Sequence, residues 1–328
     1  MNIRTLQRRA LLGLAALAGL ASLSTAAQAQ SYPNRPVKIV VPFAAGGPAD
    51  NYARFVAQRL GEELKQSFVV DNKPGAGSII GTDLVAKSPA DGYTLLMMSN
   101  AHTVNESLIA SKPFALMKDF VGIAPINYSG LLLVVHPSVP AKTVGELVAL
   151  AKARPGKINY ASSGNGTPYH MAGELFKHMA GIDMTHVPYK GSSGARTDIV
   201  GGQVDVMFDA ETTMAVMSRE GKVRALASTG LTRSANLPDM PTVSESGVPK
   251  FEATIWLGLM APKGTPAEIV NRLNAELRKI VGNPEVRATW AKQGAVPMSM
   301  TVAEFDQYLQ ADIAKWANIV KVSGAKPD

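Results

Sequence analysis

A strand that runs through glycines into a helix is the feature that most constrains the fold of this chain. Residues 37–41 (VKIVV) are apolar and β-branched, as is typical of a buried strand. Gly46 and Gly47 follow, and then Pro48, which favours the first position of a helix. A turn of this kind directs backbone N–H groups at an anion. We therefore predict that the turn forms one side of a carboxylate-binding clamp.

The same strand–turn–helix unit recurs along the chain. A second glycine turn, residues 72–78 (NKPGAGS), follows a strand, and after a break near residue 129 the pattern restarts with a strand at 157–162. Repeated units of this kind predict an α/β fold with a parallel sheet and helices on both faces. Ligands of such sheets bind beyond the carboxyl ends of the strands. Two domains joined by crossings near residues 129 and 230 would make a hinged clamshell.

The boundaries that we predict follow from these breaks. Residues 30–129 together with 231–328 form the first domain, and residues 130–230 form the second.

The first 29 residues are expected to be a signal peptide, cleaved near Ala29. They carry three arginines and no acid, then an apolar run that is too short to span a membrane, then a small-residue site at 27–29. The pair Arg8-Arg9 leaves twin-arginine export open beside ordinary Sec export. We therefore expect the mature protein in the periplasm.

Composition narrows the classes of function. The chain of 328 residues contains no cysteine, so disulfides and a lipid-modified cysteine are excluded. Its net charge of +7 falls to +4 without the leader, and the lysines and arginines form no block, which argues against nucleic acid. The five histidines lack metal-ligand spacing, so we expect no metal and no cofactor. Residues 75–81 match a dinucleotide fingerprint only with one residue too many.

The turn after the strand at 157–162 is the candidate for the opposite side of the clamp. Residues 163–168 (SGNGTP) combine glycines with the hydroxyls of Ser163 and Thr167, and either seat a carboxylate or simply cap the next helix. His170, one turn into that helix, either contacts the ligand or packs.

Asp209 ends another apolar strand, at a carboxyl edge. It is either a cap for the helix that follows or an acceptor for a ligand donor that also repels some anions. If Asp209 contacts the ligand, replacing it by alanine should change the selectivity among ligands more than the stability of the fold.

Several stretches, spread over the whole mature chain, together resemble the Bug (TctC-type) family of receptors for tripartite tricarboxylate transporters. They are YP at 32–33, VPF at 41–43, GG at 46–47, NKPGAG at 72–77, PADGYTL at 89–95, YAS at 160–162, HVPYKG at 186–191, GGQVD at 201–205, LPDMPT at 237–242 and APKGTP at 261–266.

The resemblance implies a two-domain Venus-flytrap fold, of the type II periplasmic binding protein kind, that closes on a small organic acid. It implies that main-chain N–H groups and water hold the carboxylate from both domains. Combined with the motifs above, it gives the following predicted ligand-binding residues: Phe43, Ala45, Gly46, Gly47, Ala76, Gly77, Ser163, Gly164, Gly166, Thr167, His170 and Asp209. Two stretches depart from the family pattern: Pro48-Ala49, where many members carry a hydroxyl, and residues 112–116.

The sequence thus predicts a monomeric, non-enzymatic receptor that hands an organic acid to membrane permease subunits. A receptor that feeds a two-component sensor is the first alternative. A periplasmic hydrolase is the second, although no motif shows an activated nucleophile. The effector-binding half of a transcription regulator is a further alternative, but the predicted export signal argues against it. Mono-, di- and tricarboxylates, amino-dicarboxylates and aromatic acids all remain open as ligands.

Overall fold

The computed structural model describes residues 32–109, 111–323 and 325–326. Its contacts divide the chain into Met1–Arg35 and a compact unit, Pro36–Asp328, and the elements below all lie in the second unit. The predicted signal peptide lies outside the described residues.

Strands and helices alternate through most of the chain. The strands are β1 Val37–Val41, β2 Phe68–Asn72, β3 Thr94–Ser99, β4 Phe120–Val135, β5 Asn159–Ser162, β6 Thr185–Pro188, β7 Val206–Ala210, β8 Arg224–Ser228, β9 Thr254–Pro262 and β10 Ala295–Pro297. The helices are α1 Pro48–Leu64, α2 Ile79–Ala86, α3 Asn100–Leu108, α4 Leu116–Asp119, α5 Val144–Ala153, α6 Pro168–Ala180, α7 Ser192–Val200, α8 Glu211–Arg219, α9 Ala267–Gly282, α10 Pro284–Ala291 and α11 Val302–Ser323. Residues 76–78 form a 3₁₀ turn before α2.

The strands belong to two groups that share β4. In the first group β1 lies parallel to β2 and β3, and β9 runs antiparallel between β3 and β4. In the second group β5 lies parallel to β6 and β7, and β4 runs antiparallel to β7 and β8. We call these groups, with the helices that cover them, the first and second domain. The antiparallel β4 and β9 make the sheet mixed, where the sequence pattern predicted a parallel one.

Strand β4 passes from one domain into the other without a break. Its first part, up to Gly130, pairs with β9, and its last part, from Leu131 to Val135, pairs with β7 and β8. The sequence predicted two strands here, at 121–126 and 131–136, and that prediction was wrong. The polar segment 127–130 looked like a loop, but its backbone pairs with β9, and tertiary pairing overrides local propensity.

Each domain has its own apolar core. Val40, Leu96, Phe120 and Trp256 contribute to the first. In the second, Phe251 packs against Phe176 and Phe208, with ring centroids 6.0 and 6.1 Å apart. A segment after residue 230 thus adds side chains to the second core. The boundaries of the two domains in the chain stay predictions.

Candidate ligand-binding site

The turn after β1 faces the second domain with its carbonyl groups. The Ala45 carbonyl accepts a hydrogen bond from Ser193 Oγ at 2.6 Å, and the Gly46 carbonyl accepts one from Arg196 Nη1 at 3.4 Å. The Phe43 carbonyl accepts instead from Asn72 within the first domain. The turn that the sequence predicted as part of the clamp therefore contacts the second domain.

Asp50 holds this turn from inside α1. Its Oδ2 accepts the Gly46 N–H at 2.9 Å and Arg54 Nε at 3.1 Å. Burial raises the pKa of the Asp50 carboxyl, but hydrogen bonds from Arg54, Gly46 and Asn72 outweigh it, so the pKa lies below its ordinary value of 3.8. The carboxylate thus stabilises the fold when ionised.

We expect the substitution Asp50→Ala to lower the free energy of unfolding by about 1–2 kcal/mol near neutral pH, because hydrogen bonds to a charged group are lost. Since the folded pKa is depressed, this contribution is full above about pH 5 and is lost as pH falls through the folded value. Urea unfolding of both proteins from pH 7 to pH 3 measures it. A difference that stayed constant down to pH 3 would contradict a role for the ionised carboxylate.

The second glycine turn adopts a left-handed backbone. Ala76, Gly77 and Ser78 have φ values of 47°, 58° and 85°, which L side chains rarely adopt. Non-glycine residues in this region are costly and cluster at functional sites. The Ser78 side chain is buried, and its Oγ has no hydrogen-bond partner among the described residues. A ligand or water in the cleft could supply that partner.

The loop after β5 satisfies much of its polar backbone internally. The Gly164 N–H donates to Ser162 Oγ and the Gly166 N–H donates to His170 Nδ1. Thr167 caps α6 by accepting the His170 N–H, while its hydroxyl donates to the Gly164 carbonyl at 2.7 Å. Thr167 is therefore the cap of α6, which is one of the two roles that the sequence allowed for it. A ligand contact through Thr167 stays a prediction.

Two stacked histidine rings, His170 buried and His186 half-buried, pack next to that loop. His170 stacks on His186 with ring centroids 4.1 Å apart, and His186 Nε2 lies 2.6 Å from Ser162 Oγ. A serine next to a histidine is the pairing that a hydrolase would need. Ser162 is fully buried and its Oγ also accepts the Gly164 N–H, so this serine shapes the loop and is not accessible to a substrate.

Asp209 forms an ion pair that the sequence reading missed. Arg196 on α7 donates from Nε to Asp209 Oδ2 at 2.5 Å and from Nη2 to Oδ1 at 3.0 Å. Both side chains are buried, Asp209 completely. Oδ1 also accepts the Ala210 N–H, so the carboxylate is already engaged within the second domain. A ligand contact by Asp209 therefore stays a prediction that this geometry does not favour.

Two cavities lie between the loops of the two domains. The first, which we call the Tyr169 cavity, has a volume of about 20 Å³, and the second, the Lys190 cavity, has a volume of about 190 Å³. Phe43 and Ser163 line both, so the cavities are neighbours. Burial raises the pKa of Tyr169 well above its usual value, with the Asp209 carboxylate adding to the effect, so this phenol stays neutral.

Three helices begin next to these cavities without a side-chain cap. Their N-cap residues are Gly47 for α1, Ser78 for α2 and Gly191 for α7, and none accepts a backbone N–H through a side chain in the described structure. Gly47 and Ser192 line the Tyr169 cavity, and Ser78 lines the Lys190 cavity. Uncapped helix N-termini offer N–H donors and a positive dipole end to an anion.

The structure brings only part of the predicted residues to the cavities. Those that line one are Phe43, Gly47, Ala76, Gly77, Ser163 and Gly164. Ala45 and Gly46 lie instead at the contact with α7, while Gly166, Thr167 and His170 lie within or behind their loop.

The sequence did not predict the roles of three residues of α7. Ser192 lines the Tyr169 cavity, and Ser193 and Arg196 donate hydrogen bonds to the turn after β1. A signal for Ser192 and Ser193 existed, because residues 186–194 repeat the pattern of a strand, a glycine turn and a helix start, but Arg196 lies beyond that stretch.

The described residues also bear on metal binding and membrane insertion. No group of three or more histidine or acidic side chains there could hold a metal ion. In the same part of the chain, no helix has both the length and the apolar character needed to cross a bilayer.

Comparisons with known proteins agree with this architecture. The chain is 38% identical over 310 residues to protein BugT of Bordetella pertussis, covering 93% of this chain and 94% of BugT. Its structure resembles that of R. palustris Rpa4515 with adipate, at 35% identity and a TM-score of 0.87, covering 90% of this chain and all of that one. It also resembles MatC from Rhodopseudomonas palustris with bound malate, at 32% identity and a TM-score of 0.84, covering 88% of this chain and all of MatC.

The family model for the receptor of the tripartite tricarboxylate transporter family, TctC, matches residues 52–325. Together with the related structures, this match confirms the predicted two-domain α/β fold of the periplasmic binding protein type. The chain belongs to the TctC family of tripartite tricarboxylate transporter receptors.

Proposed function

We propose that this protein is a periplasmic receptor that captures a small organic acid between its two domains. It then hands the acid to the permease subunits of a tripartite tricarboxylate-type transporter. It acts as a monomer, without a cofactor and without chemical change of the ligand. The signal peptide is cleaved near Ala29, and the domains comprise residues 30–129 with 231–328, and residues 130–230.

The observation that carries the proposal is the meeting of three uncapped helix N-termini at the two cavities. A carboxylate there would accept from N–H groups of the first helical turns, apart from that of Ile79, which donates to the Ala76 carbonyl, and it would lie at the positive ends of the helix dipoles. The buried Ser78 hydroxyl and the exposed Lys190 amine at the second cavity add donors for a second polar group.

The related structures support the chemical class. Rpa4515 is described with adipate and MatC with malate, both of which are dicarboxylic acids. We extend to this chain only the coarser property, a small organic acid with at least one carboxylate. The wall of the Tyr169 cavity includes Ile255 and Leu257, which favours an apolar group next to the bound carboxylate.

A screen of ligands against the mature chain tests the proposal. We expect one or more acids from a panel of mono-, di- and tricarboxylates, amino-dicarboxylates and aromatic acids to raise the melting temperature. An acid at about 100 times its dissociation constant adds about 2.7 kcal/mol of stability. Titration calorimetry should then give one site per chain. If no acid in the panel shifts the melting temperature, the carboxylate assignment is wrong.

The fate of the ligand separates a receptor from a hydrolase. We expect mass spectrometry after prolonged incubation to recover the acid unchanged, and esters of the same acid to remain intact. Turnover of an ester, abolished by Ser162→Ala, would favour the enzyme instead.

A further inference from the structure

Two side chains near the start of α7 donate hydrogen bonds from the second domain to the turn after β1. Ser193 Oγ donates to the Ala45 carbonyl at 2.6 Å, and Arg196 Nη1 donates to the Gly46 carbonyl at 3.4 Å. Ser193 and Arg196 are three residues apart and therefore share one face of the helix. The two acceptors are consecutive in the chain, so one helix face meets one turn.

Asp209 fixes the direction of the arginine. A carboxylate that receives both Nε and Nη2 holds the planar guanidinium in a single orientation, and Nη1 then points away from Asp209 towards the first domain. The pair is buried within the second domain. Arg196 can thus keep Asp209 as its partner whether or not the domains are closed, and only its bond to Gly46 depends on closure.

We propose that Ser193 and Arg196 form a closure latch, with Asp209 orienting the guanidinium, and that this latch sets how much of the protein is closed. The proposal rests on the receptor function proposed above, since closure matters there for capture. Ser193 and Arg196 are positioning residues in this account and need not contact the acid. A latch that favours the closed form raises apparent affinity by raising the closed fraction and slows dissociation of the ligand.

Ser193 offers the sharper test because its side chain is only half-buried and its removal leaves the Arg196–Asp209 pair intact. Since the chain has no cysteine, nitroxide labels can be placed uniquely on Gln58→Cys in α1 and Lys152→Cys in α5, both exposed positions. Pulsed electron spin resonance on the mature protein then reports the distance between the two domains. Ser193→Thr, which keeps the hydroxyl, is the matched control.

With Ser193→Ala we expect the ratio of closed to open protein to fall about fivefold, as for the loss of one hydrogen bond. We expect Ser193→Thr to behave like the wild type and Arg196→Lys, which loses the fork of donors, to fall between them. Affinity for an acid that the wild type binds, measured by calorimetry, should weaken by the factor by which the closed fraction of the unliganded protein falls, through faster dissociation. The melting temperature without ligand should not change.

If Ser193→Ala closes and binds like the wild type, the latch is wrong, although acid binding itself stands. If no acid from the panel binds or changes the distance, but Ser193→Ala still widens the distances of the unliganded protein, the latch stands and the proposed ligand class fails. If Ser193→Thr loses closure as fully as Ser193→Ala, the hydroxyl is not the latching group and the proposal fails.

Discussion

Replacing Gly191 by alanine is expected to hold the two domains apart and to weaken ligand binding by about 5- to 150-fold, the range for about 1–3 kcal/mol of overpacking. A Cβ on Gly191 would lie 2.6 Å from Ala44 Cβ and 2.8 Å from the Ala44 nitrogen. These atoms belong to the other side of the cleft, so the methyl group acts as a wedge between the domains.

This substitution is cleaner than the other glycine replacements at the cleft. Gly191 has a φ of 162°, an extended backbone that any residue adopts, so alanine is not strained there by itself. Gly77→Ala would also clash, with the Asn165 carbonyl oxygen, but its φ of 58° adds strain within the first domain. Loss of binding in Gly77→Ala would therefore have two explanations.

Titration calorimetry with an acid that the wild type binds measures the effect, together with the interdomain distance of the labelled protein. Gly282→Ala is the matched control, because a Cβ there meets nothing within 4 Å. Combining Gly191→Ala with Ala44→Gly removes the nearer of the clashing atoms and should restore part of the affinity. Wild-type affinity in Gly191→Ala would show that the domains do not approach as closely during binding.

Replacing Asp209 by alanine is expected to lower the free energy of unfolding by about 3–5 kcal/mol, because it leaves the buried Arg196 charge without its partner. From the sequence alone, with Asp209 read as a ligand contact, a change in selectivity was the expected outcome. The structure favours loss of stability instead, since both carboxylate oxygens already accept hydrogen bonds within the second domain.

Urea unfolding of the unliganded protein decides between the two. Asp239→Ala, at an exposed aspartate, is the matched control and should be nearly neutral. Asp209→Asn keeps one acceptor oxygen and should fall between. If Asp209→Ala unfolds within about 1 kcal/mol of the wild type but prefers different acids, Asp209 contacts the ligand after all.

Local patterns in the sequence were sufficient for the strand–turn–helix units and for the turns that line the cavities. The turn at residues 43–47 and the second turn at 75–78 could be placed because glycines, a proline and apolar strands lie within a few residues of one another. Ser163 was found for the same reason. Each of these predictions depended only on neighbours along the chain.

The features that could not be predicted from the sequence depend on contacts between residues that lie far apart in the chain. Arg196 lies thirteen residues from Asp209 and about 150 from Gly46, and no local pattern indicates that the three meet. The continuity of β4 was hidden in the same way, because its polar middle is held by β9. The Gly164 and Gly166 N–H groups donate to Ser162 Oγ and to the His170 ring, and the sequence does not show where those two acceptors point.

The unbroken β4 also has a consequence for how the protein unfolds. One strand, β4, is hydrogen-bonded in both sheets. If either sheet unfolds, the half of β4 that was paired in that sheet is left with unpaired backbone N–H and carbonyl groups. That cost couples the two domains, so they share one cooperative transition although each has a separate core. A change in the angle between the domains would also have to twist this paired strand, which is stiffer than a loop.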